Sequence, residues 1–97
     1  MNFNDEEPSL IPYEIKETEA FLRQANQIDP DSRRLDDALE TLQFIIARTP
    51  RSFPTLDATP IYYAHYDGDP PVRVCFAFNG QYVTFVMIDR QRDIEEL

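Results

Sequence analysis

The 97-residue chain has one cysteine, two glycines and no tryptophan. Glycines build cofactor-binding loops and cysteines form covalent cross-links, so the chain has little material for either. Cys75 cannot form a disulfide within the chain, and a lone thiol in a strand-like segment is typical of a reducing compartment. There is no Gly-rich phosphate loop, Cys-x-x-Cys pair or nucleophile elbow. No apolar run reaches 18 residues, and the acidic N-terminus lacks the order of a secretory signal. We therefore expect a cytoplasmic protein without a cofactor.

Lysine is nearly absent, since Lys16 is the only one among nine basic residues, against 18 acidic residues. The formal net charge is −9 and the sequence pI is about 4.3. Such a surface repels phosphate and anionic lipid, so the charge disfavours nucleic acid or the ribosome as a partner and gives no support for membrane binding. A protein partner is favoured, and a homodimer stays open.

The length and the 42% apolar content suit one domain with one core. We expect a flexible acidic leader over residues 1–9, a single domain over 10–90 and a polar tail over 91–97.

The first half of the chain predicts a short strand followed by two helices. Residues 10–16 predict a short strand in which Pro12 requires either an edge position or the beginning of the strand, and residues 17–28 predict a short amphipathic helix. Asp29 and Pro30 are typical of a helix start. The following helix, over residues 31–48, has one apolar face made of Leu35, Ala38, Leu39, Leu42, Ile45 and Ile46.

The second half predicts three antiparallel strands, over residues 61–66, 72–78 and 81–89. Asn79-Gly80 favours a two-residue type I′ turn that would place Phe78 opposite Gln81. In that register Arg73 lies opposite Val86 on the outer face, and Met87 points into the core. The outer face then presents Arg73 among small and aromatic side chains.

The predicted fold class is therefore α+β, in two layers with the order β-α-α-β-β-β. Two amphipathic helices would cover one apolar face of an antiparallel sheet. The expected core consists of Phe21, Leu35, Leu39, Leu42, Ile46, Val72, Val74, Phe76, Val83, Phe85 and Met87.

Several short motifs, in this order, resemble the RelE/ParE superfamily, the small toxins of bacterial type II toxin–antitoxin modules. They are a Tyr-x-Ile strand (residues 13–15), a Thr-Pro helix end (49–50), a Phe-Pro-x-Leu linker (53–56) and a terminal hairpin (72–90). The strand Val-Arg-Val-Cys-Phe resembles the Tyr-Arg-Val-x-Tyr strand of the family. The resemblance implies mRNA cleavage, gyrase inhibition or no toxicity, and an antitoxin or a target protein as the partner.

In the mRNA-cleaving branch, the resemblance implies basic residues on the open sheet face together with a C-terminal tyrosine or histidine. Arg73 matches the strand arginine and Arg90 the arginine that follows the last strand. No tyrosine or histidine follows Arg90, and a tyrosine-rich segment replaces the usual basic strand. Whether the chain is an enzyme is left open. His65 completes the catalytic hypothesis as general acid or base, the role that histidine most often fills.

Tyrosines are concentrated around the predicted sheet, and Tyr63, Tyr66 and Tyr82 with Arg73 form the predicted binding set. Such rings stack on unpaired bases or anchor protein interfaces, and the acidity favours the protein interface. His65 with Asp67 and Asp69 could be drawn as a metal site, but Asp-Gly-Asp is ordinary turn chemistry, and we predict no metal. The sequence thus supports two hypotheses: a toxin-like protein that binds a macromolecular target through the open sheet face, and a non-enzymatic interaction domain.

Overall fold

The computed structural model describes residues 11–29, 33–68 and 70–90. Along the chain it contains β1 (Glu14–Glu17), α1 (Glu19–Ile28), α2 (Arg33–Arg48), a 3₁₀ turn (Pro50–Ser52), β2 (Tyr62–Tyr66), β3 (Val72–Phe78) and β4 (Tyr82–Arg90). The predicted α+β class is confirmed. The predicted leader and tail lie outside the described residues, and the domain boundaries stay a prediction.

Side-chain caps fix where the helices begin. The Phe21 amide donates to the Thr18 hydroxyl at 3.1 Å, so Thr18 satisfies a free amide in the first turn of α1. The Leu35 amide donates to the Asp29 carboxylate at 3.1 Å. That bond bears out the expectation that Asp29 helps to start the second helix.

The four strands form one sheet in the order β1-β4-β3-β2. Strands β2, β3 and β4 are an antiparallel meander, as predicted, while β1 pairs parallel with β4 and makes the sheet mixed. The parallel pair requires a long crossover, and both helices lie within it. None of the helices in the described residues is long and apolar enough to cross a bilayer.

The core lies between the helices and one face of the sheet. Every predicted core residue is buried except Met87, whose place is taken by Ile88 at 2% exposure. The largest buried rings are Phe21, Phe76 and Phe85, and the Phe21 and Phe85 rings lie 5.3 Å apart. The prediction for Ile45 was wrong, because it lies at the rim of the apolar face of α2 and is 44% exposed.

The predicted type I′ turn was also wrong. Among the described residues of the turn only Gly80 has a positive φ, at 93°. The Asn79 side chain accepts hydrogen bonds from the amides of Gln81 and Tyr82 at 2.8 and 2.9 Å, and the Asn79 amide donates to the Tyr82 carbonyl at 3.4 Å. The turn residues are therefore Gly80 and Gln81, one position later than predicted. Phe78 therefore pairs with Val83. A shift of two residues leaves each side chain on its predicted face.

A β-bulge then changes the second half of β4. Phe76 pairs with Phe85, but Cys75 pairs with Met87, so Val86 is an extra residue. One extra residue moves every later side chain of the strand to the other face. Ile88 consequently enters the core, and Arg73 pairs with Asp89 instead of Val86.

Candidate functional site

The candidate site is the face of the sheet that neither helix covers, which we call the open face. The strand register places the following residues on it: Glu14, Lys16, Tyr63, His65, Arg73, Cys75, Ala77, Tyr82, Thr84, Met87 and Asp89. Their neighbours in sequence, such as Ala64, Val74 and Val83, belong to the core on the other face.

Near the end of the open face that is away from the hairpin turn, His65, Arg73 and Asp89 form one row across β2, β3 and β4. Arg73 Nη2 lies 3.1 Å from Asp89 Oδ2, and the two side chains are only 21% and 35% exposed. The charge of Arg73 is therefore balanced by an adjacent carboxylate. Arg73 Nε and Asp89 Oδ1 are buried without a hydrogen-bond partner among the described residues.

Two aromatic rings of the open face lie on the side of this row towards the hairpin turn. The Tyr63 ring meets the His65 ring edge-on, with 5.5 Å between their centroids, and His65 itself is exposed. Nearer the hairpin turn, the Lys16 ammonium lies 3.9 Å from the centroid of the Tyr82 ring, a cation–π contact. Tyr82 also borders a shallow depression of about 250 Å³ whose other walls are Pro60, Ala77, Phe78, Asn79 and Thr84.

Cys75 lies on the open face but is fully buried, in a row between Tyr63 and Met87. Burial raises the pKa of the Cys75 thiol; the Arg73 guanidinium lowers it, and the Asp89 carboxylate raises it. A neutral, covered thiol is a weak nucleophile. We therefore interpret Cys75 as a packing residue of the open face.

Two of the predicted site residues lie on the other side of the sheet. Tyr66 packs against the core. Arg90 follows the bulge, and its Nη2 donates to the Ile28 carbonyl at 3.2 Å, at the end of α1 where a cation is favourable. The sheet therefore separates Arg90 from Arg73 and His65, and it separates Tyr66 from Tyr63 and Tyr82.

Sequence reasoning missed Asp89 and Lys16 as members of the site. Strict alternation along residues 81–89 hides Asp89, because only the bulge turns its side chain outwards. Lys16 could not be placed without knowing that β1 pairs parallel with β4. Among the described residues, no group of three or more His, Cys, Asp or Glu side chains is arranged to hold a metal ion.

Two helices on one face of a mixed four-stranded sheet, with a helical crossover from β1 and a C-terminal meander, define a RelE-like α+β fold. A solved chain from the toxin–antitoxin complex RelBE2 of Mycobacterium tuberculosis has this fold, with a TM-score of 0.69 and 18% sequence identity. The match covers 87% of this chain and 97% of that chain. No protein-family model matches the sequence. No curated protein matches it either. The resemblance predicted from the sequence is confirmed at the level of the fold.

Proposed function

We propose that this chain is the toxin-like member of a toxin–antitoxin pair, and that it binds a macromolecular target through the open face without cleaving mRNA. The RelE-like fold supports the toxin-like role, because the similar solved chain comes from a toxin–antitoxin complex. The ion pair between Arg73 and Asp89 supports the absence of cleavage, and it is the observation on which the proposal chiefly depends.

A phosphate-cleaving site needs cations that stabilise the developing negative charge on the phosphorus oxygens. Among the described residues of the open face, the cations are Lys16 and Arg73, and Lys16 lies over the Tyr82 ring, nearer the hairpin turn than His65. The Arg73 guanidinium already binds Asp89, and Arg90 lies across the sheet. If His65 acted as a general acid or base, the arginine beside it would be Arg73, whose charge Asp89 already balances.

The same face has the features of a protein-binding surface. Tyr63 and Tyr82 are half-buried rings with polar tips, a type of residue that often anchors protein interfaces. The Arg73–Asp89 pair, in the row next to Tyr63, offers both a donor and an acceptor. With a net charge of −9, the protein attracts a basic partner more strongly than a phosphate backbone. We therefore favour an antitoxin or a target protein as the partner.

Induced expression of the full chain in a bacterial host tests the proposal. We expect slowed growth with intact translated mRNA, and relief of the slowed growth by Arg73→Ala and by Tyr63→Ala. Arg23→Ala is the matched control, because Arg23 is an exposed arginine on α1 that forms an ion pair with Glu19 at 3.7 Å. It should leave the growth effect unchanged.

Two outcomes would contradict the proposal. Cleavage of translated mRNA that disappears in Arg73→Ala would make the open face a nuclease site. Normal growth with every variant, together with the absence of a neighbouring reading frame for a small partner protein, would favour the second candidate. That candidate is a non-enzymatic interaction domain that uses the same tyrosines, and the acidic surface is what favours it.

A further inference from the structure

The outward side of α2 has an apolar patch that the fold does not use. Phe44 is 60% exposed on this side, and Ile45 at the rim of the core-facing side is 44% exposed, whereas Leu35, Leu42 and Ile46 face the core and are buried. Phenylalanine is among the residues that are enriched at protein interfaces.

Phe44 belongs to a regular line of residues along this side of the helix. Asp37, Thr41, Phe44 and Arg48 follow one another at spacings of four, three and four residues, which is the spacing of a coiled-coil seam. We call these four residues the outer seam. An acidic residue lies at its N-terminal end, a basic residue at its C-terminal end and the phenylalanine between them.

This order makes the outer seam complementary to itself. When two copies of α2 pack antiparallel about a two-fold axis, each residue i faces a residue j of the other copy, and j faces i. Centring the axis between Leu42 and Gln43 places Phe44 against Thr41 of the partner subunit and Arg48 against Asp37 of the partner subunit. Both charged contacts are then between opposite signs, and the aromatic rings lie inside them.

Arg48 is already held in position for such a contact. Its Nη1 donates to the Phe44 carbonyl at 3.1 Å, and its guanidinium carbon lies 3.9 Å from the centroid of the Phe44 ring. Holding a long side chain in place before association reduces the entropy that binding removes. The guanidinium has five N–H donors, which leaves others free for a carboxylate.

We propose that the outer seam of α2 binds a second copy of this chain as an antiparallel, two-fold symmetric dimer. The proposal does not depend on the proposed function, because α2 covers the opposite face of the sheet from the open face. A second copy fits better than a purely basic or purely acidic peptide, since either would meet a like charge at one end of the seam. The repulsion between two chains of charge −9 is largely screened at physiological salt, where the Debye length is about 8 Å.

Sedimentation velocity of the full chain over a range of concentrations, at physiological salt, tests the proposal. We expect a concentration-dependent dimer. Asp37→Arg and Arg48→Asp should each raise the dimer Kd at least about tenfold, because each places like charges together. The double variant should restore the Kd to within about threefold of the original chain, since the pairs are then reversed.

The restoration distinguishes a contact between subunits from one within a chain. Asp37 and Arg48 are separated by 11 residues, or about 16 Å along one helix, so they cannot form a pair in the same chain. The matched control is Glu19→Arg with Arg23→Glu, which reverses an ion pair on α1 and should leave the Kd unchanged. Circular dichroism of each variant checks that the fold is retained.

Three results would overturn the proposal. One is a monomer at every concentration, and another is a dimer that none of the charge variants weakens. The third is a double variant that remains as weak as the single ones. Phe44→Ser adds an independent check, because a 60% exposed ring contributes little to the fold but would lie at the centre of the dimer. It should raise the dimer Kd, and an unchanged Kd would also contradict the proposal.

Discussion

The two faces of the sheet are built by different rules. On the covered face, side chains such as Val74, Phe76 and Phe85 are fully buried against the helices, and burial of apolar area stabilises them without demanding one particular partner. On the open face, the Arg73–Asp89 pair depends on the position of a single bulge. The covered face therefore needs an apolar side chain at each inward position, whereas the Arg73–Asp89 pair on the open face needs two particular residues opposite each other.

The largest expected effect separates two neighbouring residues of β4. Ile88→Ala should lower the free energy of unfolding by about 2 to 5 kcal/mol, because it removes a fully packed core side chain. Met87→Ala should cost about 1 kcal/mol, since Met87 lies on the open face. Urea unfolding of both variants measures the difference. A larger loss of stability for Met87→Ala would contradict the assigned bulge, because it would mean that Met87 and not Ile88 points into the core.

The sequence was sufficient to predict the covered face because hydrophobic periodicity repeats over many residues. The helical stripe that includes Leu35, Leu42 and Ile46, together with the alternation in β3, predicts both layers correctly despite the error at Ile45. The position of β1 could not be predicted, since parallel pairing with β4 connects residues about 70 positions apart and leaves no local pattern.

A smaller effect is expected at the hairpin turn that sets the first half of the register. Gly80 has a φ of 93°, which a residue with a Cβ adopts only with strain. Gly80→Ala should therefore cost about 1 kcal/mol. Gln81→Ala in the same turn should have almost no effect, because only the backbone amide of Gln81 binds Asn79. Equal effects in urea unfolding would contradict the assigned turn.

The smallest expected effect concerns Cys75 and pH. Because burial raises the pKa of the thiol, the folded chain favours the neutral form, and stability should fall slightly as pH rises above the ordinary thiol value. Alkylation by iodoacetamide at neutral pH should be at least about tenfold slower in the folded chain than in urea. Equal rates would place Cys75 outside the packed row on the open face.

Less of the site than of the fold could be predicted from the sequence. Arg73, Tyr63 and Tyr82 were assigned to the open face correctly, because their faces follow from alternation within β3 and the beginnings of β2 and β4. Asp89 and Arg90 lie beyond the bulge, so alternation assigns both to the wrong face. A bulge is set by packing across strands, and no residue type in the segment marks it.

The central claim is that the bulge brings Asp89 against Arg73 and balances its charge. A double-mutant cycle of Arg73→Ala and Asp89→Ala, measured by urea unfolding, tests it most directly. We expect a coupling energy of about 1 kcal/mol, within the usual range of about 0.5 to 3 kcal/mol for residues in contact. The control cycle of Arg73→Ala with Asp37→Ala on α2 should be additive to within about 0.5 kcal/mol. A coupling energy of zero between Arg73 and Asp89 would contradict the account.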